Sequence, residues 1–479
     1  MVKRVIKVSG EVSSDEVDGD GLAPAFAALR QRLELPEAFP ADAEQEASQA
    51  AAAPDLPERD ETAVPFFTID PEGSTDLDQA MCLERSGDGY RVRYAIADVP
   101  AFVRPGGALD AETHRRGQTI YLPDQRVPLH PPVLSEDAAS LLEGQVRPAF
   151  VWDMTLDASG DCTAYEVYRA KVRSTKRLDY HFVQEQIDSG KADESLQLLR
   201  EIGEKRIEME RSRGGADLPM PEQIVSKTDA GYELTMRPPV PAEDWNAQIS
   251  LMTGMAAAEM MLHNQIGILR TMPEPEPDAI ARFKRAAHAL GADWRSDLTY
   301  GEFLRTLDRD NPRHLALIYE ATSLFRGAAY TPFDGDIPEV TQQAAVAAPY
   351  AHVTAPLRRL VDRYGLVICE ALSRDGEVPD WARAALATLP EEMKTSDSLA
   401  GKAERAATDI VEAAFMSSRV GQTFEAAVVD KNGEDGLLVQ LVDHAVIASV
   451  PGTAELGSTV QVKVVSADIA AGKIELALA

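Results

Sequence analysis

The sequence predicts an α+β protein, and three observations predict it. Strand-like runs dominate from about residue 61 to 175, amphipathic helices dominate from there to about 415, and short strands return over the last sixty residues. Strands followed by helices in one continuous stretch read as a single large domain rather than as alternating βαβ units. The expected parts are a small α/β segment over 1–60, a main domain over 61–415 and a β-barrel over 420–479.

Taken in order, the first segment opens with a short strand, Arg4 to Val8, followed by an acidic stretch from Glu11 to Asp20. Leu22 to Leu35 and Ala41 to Ala53 carry helical patterns, and Pro54-Asp55-Leu56-Pro57 reads as a linker. A strand and two short helices suit either a small winged-helix-like module or an extension packed on the main domain. In the main domain, Val64 to Ile69, Met81 to Leu83, Tyr90 to Ala97, Val151 to Leu156 and Cys162 to Val172 are rich in aromatic and β-branched residues and are bounded by Gly, Ser and Asp turns. Helices are expected at Leu196–Arg211, Trp245–Ile266, Asp278–Leu290, His314–Phe325 and Ala355–Leu372, where apolar residues recur at three- and four-residue steps. The last part offers five short strands, beginning at Thr423, Gly436, Ala445, Thr459 and Lys473 and separated by glycines, the spacing of an OB barrel.

Composition narrows the class. The 479 residues are 44% hydrophobic, which suffices for a large core, and no apolar run is long enough to span a bilayer. Cys82, Cys162 and Cys369 are scattered, so neither a disulfide framework nor a cysteine zinc site is indicated. The Met1–Lys7 start lacks a signal core, so a cytoplasmic protein with no membrane attachment is expected; a monomer with no obligate protein partner is expected as well. A net charge of −30 means that any nucleic acid must meet a local basic channel and that binding should tolerate little added salt.

The chemistry concentrates in Thr68-Ile69-Asp70-Pro71-Glu72-Gly73-Ser74-Thr75-Asp76-Leu77-Asp78-Gln79-Ala80, which places four carboxylates within nine residues on a loop between strands. Asp76 and Asp78 stand two apart and point the same way on extended backbone, and the loop can bring Asp70 beside them. Carboxylates so gathered repel unless a cation lies among them, and hard oxygen donors suit Mg²⁺ or Mn²⁺. A solvated acidic surface loop is the plain alternative, and a Ca²⁺-binding loop is another.

This stretch resembles the signature of the RNase II/RNase R (RNB) family of processive 3′-to-5′ exoribonucleases, in the frame T-I-D-x5-D-L-D-x-A. The family has a fourth Asp where this chain has Gln79, and it commonly carries tandem cold-shock barrels for which residues 1–60 are too few. The resemblance continues through Arg115 to Pro123, where it implies that Tyr121 stacks on the base at the RNA 3′ end. It extends to Tyr350-Ala351-His352-Val353-Thr354-Ala355-Pro356-Leu357-Arg358-Arg359, which reads as a helix start with Thr354 as N-cap, Pro356 in the first turn and an anion site beside Arg358. The resemblance implies that Arg358 contacts the reacting phosphate, with Arg359 and Glu404 also toward the RNA. The terminal barrel resembles an S1 module, although Phe424 is its only aromatic, so base stacking there should be weak.

The resemblance therefore implies hydrolysis of single-stranded RNA from its 3′ end, releasing nucleoside 5′-monophosphates. It implies Mg²⁺, or Mn²⁺, held by Asp70, Asp76 and Asp78, with the carbonyl of Gln79 or the carboxylate of Glu72 as further donors, and Asp78 nearest the attacking water. Because Gln79 removes one negative charge, the competing reading is a catalytically silent RNA-binding relative.

Overall fold

The computed structural model describes residues 6–8, 21–216, 218, 222–228, 231–308, 311–433, 436–442, 444 and 446–479. The acidic stretch Glu11–Asp20 and the expected strand start at Arg4 lie outside them. The centre of the main domain is a closed barrel of five strands, Phe66–Asp70, Gln79–Ser86, Gly89–Ala97, Val146–Leu156 and Cys162–Asp179. Its meander is antiparallel, and it closes through a parallel pairing of the first strand with the last, which sets Asp70 beside Asp179.

Alternation along the strands gives the barrel two different faces. Phe67, Ile69, Tyr94, Ile96, Phe150, Trp152 and Met154 share one core with the helices Pro241–His263 and Leu360–Ser373. Phe66, Ala80, Ala95, Ala97, Ala149 and Val151 share another with the helices Ala41–Ala52 and Ala108–Arg116. Small residues on the second face let those helices lie close to the sheet. Trp152 is fully buried, and its truncation to Ala would cost about 3–5 kcal/mol.

Local signals set several helix ends. Asp179 and Asp193 accept backbone N–H groups from Phe182 and Leu196 at the starts of Tyr180–Asp188 and Glu194–Arg213, and Gly214, at φ +90°, ends the latter. Among the elements not anticipated are the helix Ala108–Arg116, the hairpin Glu222–Thr228/Gly231–Arg237, and a 29-residue helix, Leu389–Ser417, about 43 Å long.

In its described part, the N-terminal segment is a packed extension with no core of its own. Ile6–Val8 adds to the Glu222–Arg237 hairpin as a parallel strand, and Leu22, Phe26 and Leu29 pack with Ile120, Leu122, Ala403 and Ile410. The helix expected from Ala355 instead begins at Leu360, with Arg359 in extended conformation before it. Backbone pairing explains the delay: Thr119 N–H donates to the Arg358 carbonyl and Leu360 N–H to the Gly117 carbonyl, so residues 358–360 run alongside 117–119.

The C-terminal strands Thr423–Lys431, Gly436–Leu441, Ile447–Pro451, Thr459–Asp468 and Lys473–Leu478 form one antiparallel sheet. Its two outer strands curl against each other, which nearly closes a barrel. Among the described residues no helix is long and apolar enough to cross a membrane.

Candidate active site

The acidic loop leaves the barrel at Asp70 and turns at Gly73, whose φ of +83° suits a residue without Cβ. Ser140 pins it by donating to the Thr75 carbonyl at 2.7 Å and accepting Leu77 N–H at 2.9 Å. Leu77 is fully buried, so its neighbours Asp76 and Asp78 face the other way, into a cavity of about 640 Å³. Asp70, Tyr121, Arg358 and Glu404 line the same cavity, and Glu72 stands exposed at its rim. The long helix supplies its wall through Ala400, Glu404 and Ala407, spaced along one face.

The acids are not equivalent. Asp78 is buried; its Oδ1 accepts Leu357 N–H at 2.8 Å, and its Oδ2 lies 3.7 Å from Arg358 Nε. Burial pushes its carboxyl well above the usual range against the pull of Arg358. Asp76 turns to protein partners: Oδ1 pairs with Arg126 at 2.5 Å and Oδ2 accepts the Tyr121 hydroxyl at 3.1 Å. Asp70 makes no hydrogen bond or ion pair through its carboxylate among the described residues. Burial, then the charge of Asp76, push it up to about 7, against Arg358 and Arg177. Two desolvated carboxylates, one without a hydrogen-bonded partner and the other 3.7 Å from Arg358, offer hard oxygen donors, and that chemistry fits a divalent cation. Among the described residues no group of three or more His, Cys, Asp and Glu side chains converges as a metal cluster.

Two expected site residues lie differently. Arg359 does not face the cavity: both arms of its guanidinium bind Asp362 at 2.7 Å, because Asp362 is buried and needs that charge. The Gln79 carbonyl oxygen, expected as a cation donor, accepts the Tyr94 hydroxyl at 2.5 Å, while its amide donates to the Thr354 carbonyl at 2.7 Å. Thr354 is likewise no helix cap; Asp362 Oδ1 accepts Ala355 N–H at 2.7 Å instead.

Tyr121 sits on the two-strand hairpin Ile120–Tyr121/Arg126–Val127 with 46% of its surface exposed, an available ring face. The N-terminal segment braces that hairpin, since Arg30 pairs with Asp124 at 2.5 Å and Glu37 accepts from Gln125 at 2.9 Å. Sequence reasoning missed Arg126 and Arg237, both on the cavity wall. Arg237 is held by Glu222 at 2.7 Å and Glu243 at 3.1 Å. Only the Arg-Val alternation opposite Ile120-Tyr121 could have hinted at Arg126, and no local pattern marks Arg237.

These features define a class: an α+β protein whose acid-lined cavity opens between a barrel loop, an arginine-bearing segment and a long helix, with a second five-stranded sheet beyond. The chain belongs to the RNB family, whose RNB domain matches residues 58–372; an RNase II-type exonuclease C-terminal S1 domain matches 422–479. Ribonuclease R of Vibrio cholerae is 26% identical over 458 residues, covering 87% of this chain and 54% of that protein. Ribonuclease R of Escherichia coli K12 is 27% identical over 468 residues, covering 89% and 56%. The chain thus spans about half the length of these curated relatives. Mycoplasma genitalium RNase R, solved with ribose methylated single-stranded RNA, superposes with a TM-score of 0.81 at 17% identity, covering 99% of this chain and 85% of that one. Yeast Ssd1, a pseudonuclease, superposes at 0.69 and 16%, covering 90% and 56%. At these identities the structural likeness shows the fold.

Proposed function

We propose that the chain hydrolyses single-stranded RNA from the 3′ end and releases nucleoside 5′-monophosphates. The observation that carries the reading is the approach of Arg358 Nε to within 3.7 Å of Asp78, across 280 positions of sequence, in the cavity that also holds Asp70 and Tyr121. A guanidinium beside two acids is ill-suited to binding alone but suits a phosphodiester whose negative charge grows in the transition state.

Each residue has a task under this reading. Tyr121 offers its exposed face to the terminal base, with its hydroxyl anchored on Asp76 and Asp76 neutralised by Arg126. Arg358 presents two-pronged donors to the phosphate. Asp70 and Asp78 would hold Mg²⁺ or Mn²⁺, which when bound polarises the phosphate and lowers the pKa of water. Asp78 is fixed by Leu357 N–H and so sets where that charge sits relative to Arg358. The RNA is the only partner this reading requires, and cytoplasmic, monomeric action accords with it.

The observation favouring a catalytically silent RNA-binding protein is the engagement of Gln79 and Asp76 with protein groups, which leaves two carboxylates for a cation. Incubating a 5′-labelled single-stranded oligonucleotide with Mg²⁺ or Mn²⁺ separates the two. Shortening to a small end product supports hydrolysis, whereas a gel shift with intact RNA supports the silent reading.

A further inference from the structure

Gln79 follows Asp78 directly and opens the strand Gln79–Ser86, yet its side chain bridges two parts of the chain far from each other. Its oxygen accepts from the hydroxyl of Tyr94, a fully buried residue, and its nitrogen donates to the carbonyl of Thr354, 275 positions away. The orientation is dictated chemically: only the NH₂ end can face a carbonyl, so the oxygen must face the hydroxyl. Thr354 is held from its other side too, with its hydroxyl 2.9 Å from that of Ser250.

The bridge matters because Thr354 begins the short segment that carries Arg358. Asp362 takes Ala355 N–H, Asp78 takes Leu357 N–H, His130 Nδ1 lies 3.0 Å from the Leu357 carbonyl, and Thr119 N–H donates to the Arg358 carbonyl. The backbone from Thr354 to Arg358 is thereby tied at four of its five residues, and the Arg358 side chain is left to reach the cavity, 42% exposed. Gln79 supplies the first of these ties, and it comes from the residue adjoining the acid that Arg358 faces.

We propose that Gln79 is a positioning residue and not a cation ligand: its amide locks Thr354, and so the 354–358 segment, onto the Asp78 strand, leaving a site for one divalent cation on Asp70 and Asp78. This rests on the proposed nuclease reading for its kinetic consequence, but not for its binding consequence. A carboxylate at position 79 would set an oxygen against the Thr354 carbonyl, so Gln79→Glu should break the lock while improving any direct ligand.

The test uses the full chain with two readouts. Mn²⁺ titration followed by electron paramagnetic resonance should give one ion per chain for the wild type, with affinity unchanged within about threefold in Gln79→Glu and Gln79→Ala. On a single-stranded oligonucleotide at saturating Mn²⁺, both variants should lose at least tenfold in kcat with KM within about twofold. Tyr94→Phe, which keeps the Thr354 tie, should lose less, and Gln79→Ala/Tyr94→Phe should be no worse than Gln79→Ala. Tenfold tighter Mn²⁺ binding or a second ion in Gln79→Glu, or tenfold weaker binding in Gln79→Ala, overturns the proposal; so does an unchanged kcat in both. Should the Gln79 variants not fold, the wild-type Mn²⁺ stoichiometry decides: one ion per chain supports the proposal, and a second ion overturns it. A wild type that binds Mn²⁺ but turns over no RNA removes the nuclease reading, while the Mn²⁺ comparison still decides the role of Gln79.

Discussion

The chain builds two five-stranded β units, and among the described residues the acid–arginine cavity adjoins the first of them. The barrel from Phe66 to Asp179 has aromatic residues in its core and sends out a loop whose acids meet a segment from 280 positions downstream. The C-terminal sheet from Thr423 to Leu478 has a largely aliphatic core of Val428, Leu437, Val439, Val462 and Leu476, and no acid–arginine convergence of that kind occurs in it among the described residues. Strand count and closure are nearly the same in both. The difference lies in what the loops and neighbouring helices bring to the sheet, which is where function resides on a shared architecture.

Breaking the first unit should have the largest effects. Asp78→Asn should lower kcat about a thousandfold, a loss of several kcal/mol of transition-state stabilisation. Because burial raises the Asp78 carboxyl and Asn can still accept Leu357 N–H, its Tm should not fall, so activity and stability should part company. Arg358→Ala should cost about a hundredfold to a thousandfold in kcat, with Arg358→Lys recovering only part of it. Single-turnover kinetics on a labelled oligonucleotide would measure both.

The aromatic residues separate the two β units. Tyr121→Ala should raise the RNA KM about tenfold, the worth of one stacked base, whereas Phe424→Ala in the C-terminal sheet should change it less than twofold. Equal effects would mean that the two units share base recognition.

A stability effect of intermediate size concerns His130, buried behind the Arg358 segment. Burial lowers its pKa to about 4 from the ordinary 6.5, against the Leu357 carbonyl. The unfolded chain takes a proton as pH falls through 6.5, and the folded chain does not until about 4. This contribution is therefore complete above pH 6.5 and lost on acidification. Between pH 6.5 and 5 the loss should be about 2 kcal/mol, read from urea unfolding, and smaller in His130→Gln. The smallest effect is expected for Arg30→Ala. Its pair with Asp124 braces the Tyr121 hairpin from outside, so KM should rise less than threefold, consistent with about 0.5 kcal/mol for such a pair.

The legible features were the local ones. Asp70, Asp76 and Asp78 lie within one loop, and Leu77 between two of them is the apolar residue that turns both toward the cavity. The five C-terminal strands were legible from glycine spacing. Legibility failed where distant partners override local preference. Thr354-Ala355-Pro356 reads as a helix start, but the 117–119 strand captures the backbone and delays the helix to Leu360. Arg359 reads like its neighbour, yet Asp362 claims it. The polar strands of the Glu222–Arg237 hairpin carry a weak pattern, and tertiary packing makes them regular. That Arg358 meets Asp78 could be expected only from the family resemblance, because no spacing rule reaches across 280 residues.

Hydrolysis at the acid–arginine cavity shows itself in the identity of the product. A single-stranded oligonucleotide labelled at its 5′ end and at its 3′-terminal nucleotide, incubated with Mn²⁺ and the purified chain, should release the 3′ label first, as a nucleoside 5′-monophosphate, with the 5′ label retained until a short end product remains. Release of the 5′ label first, internal fragments, or RNA that stays intact while bound would contradict it.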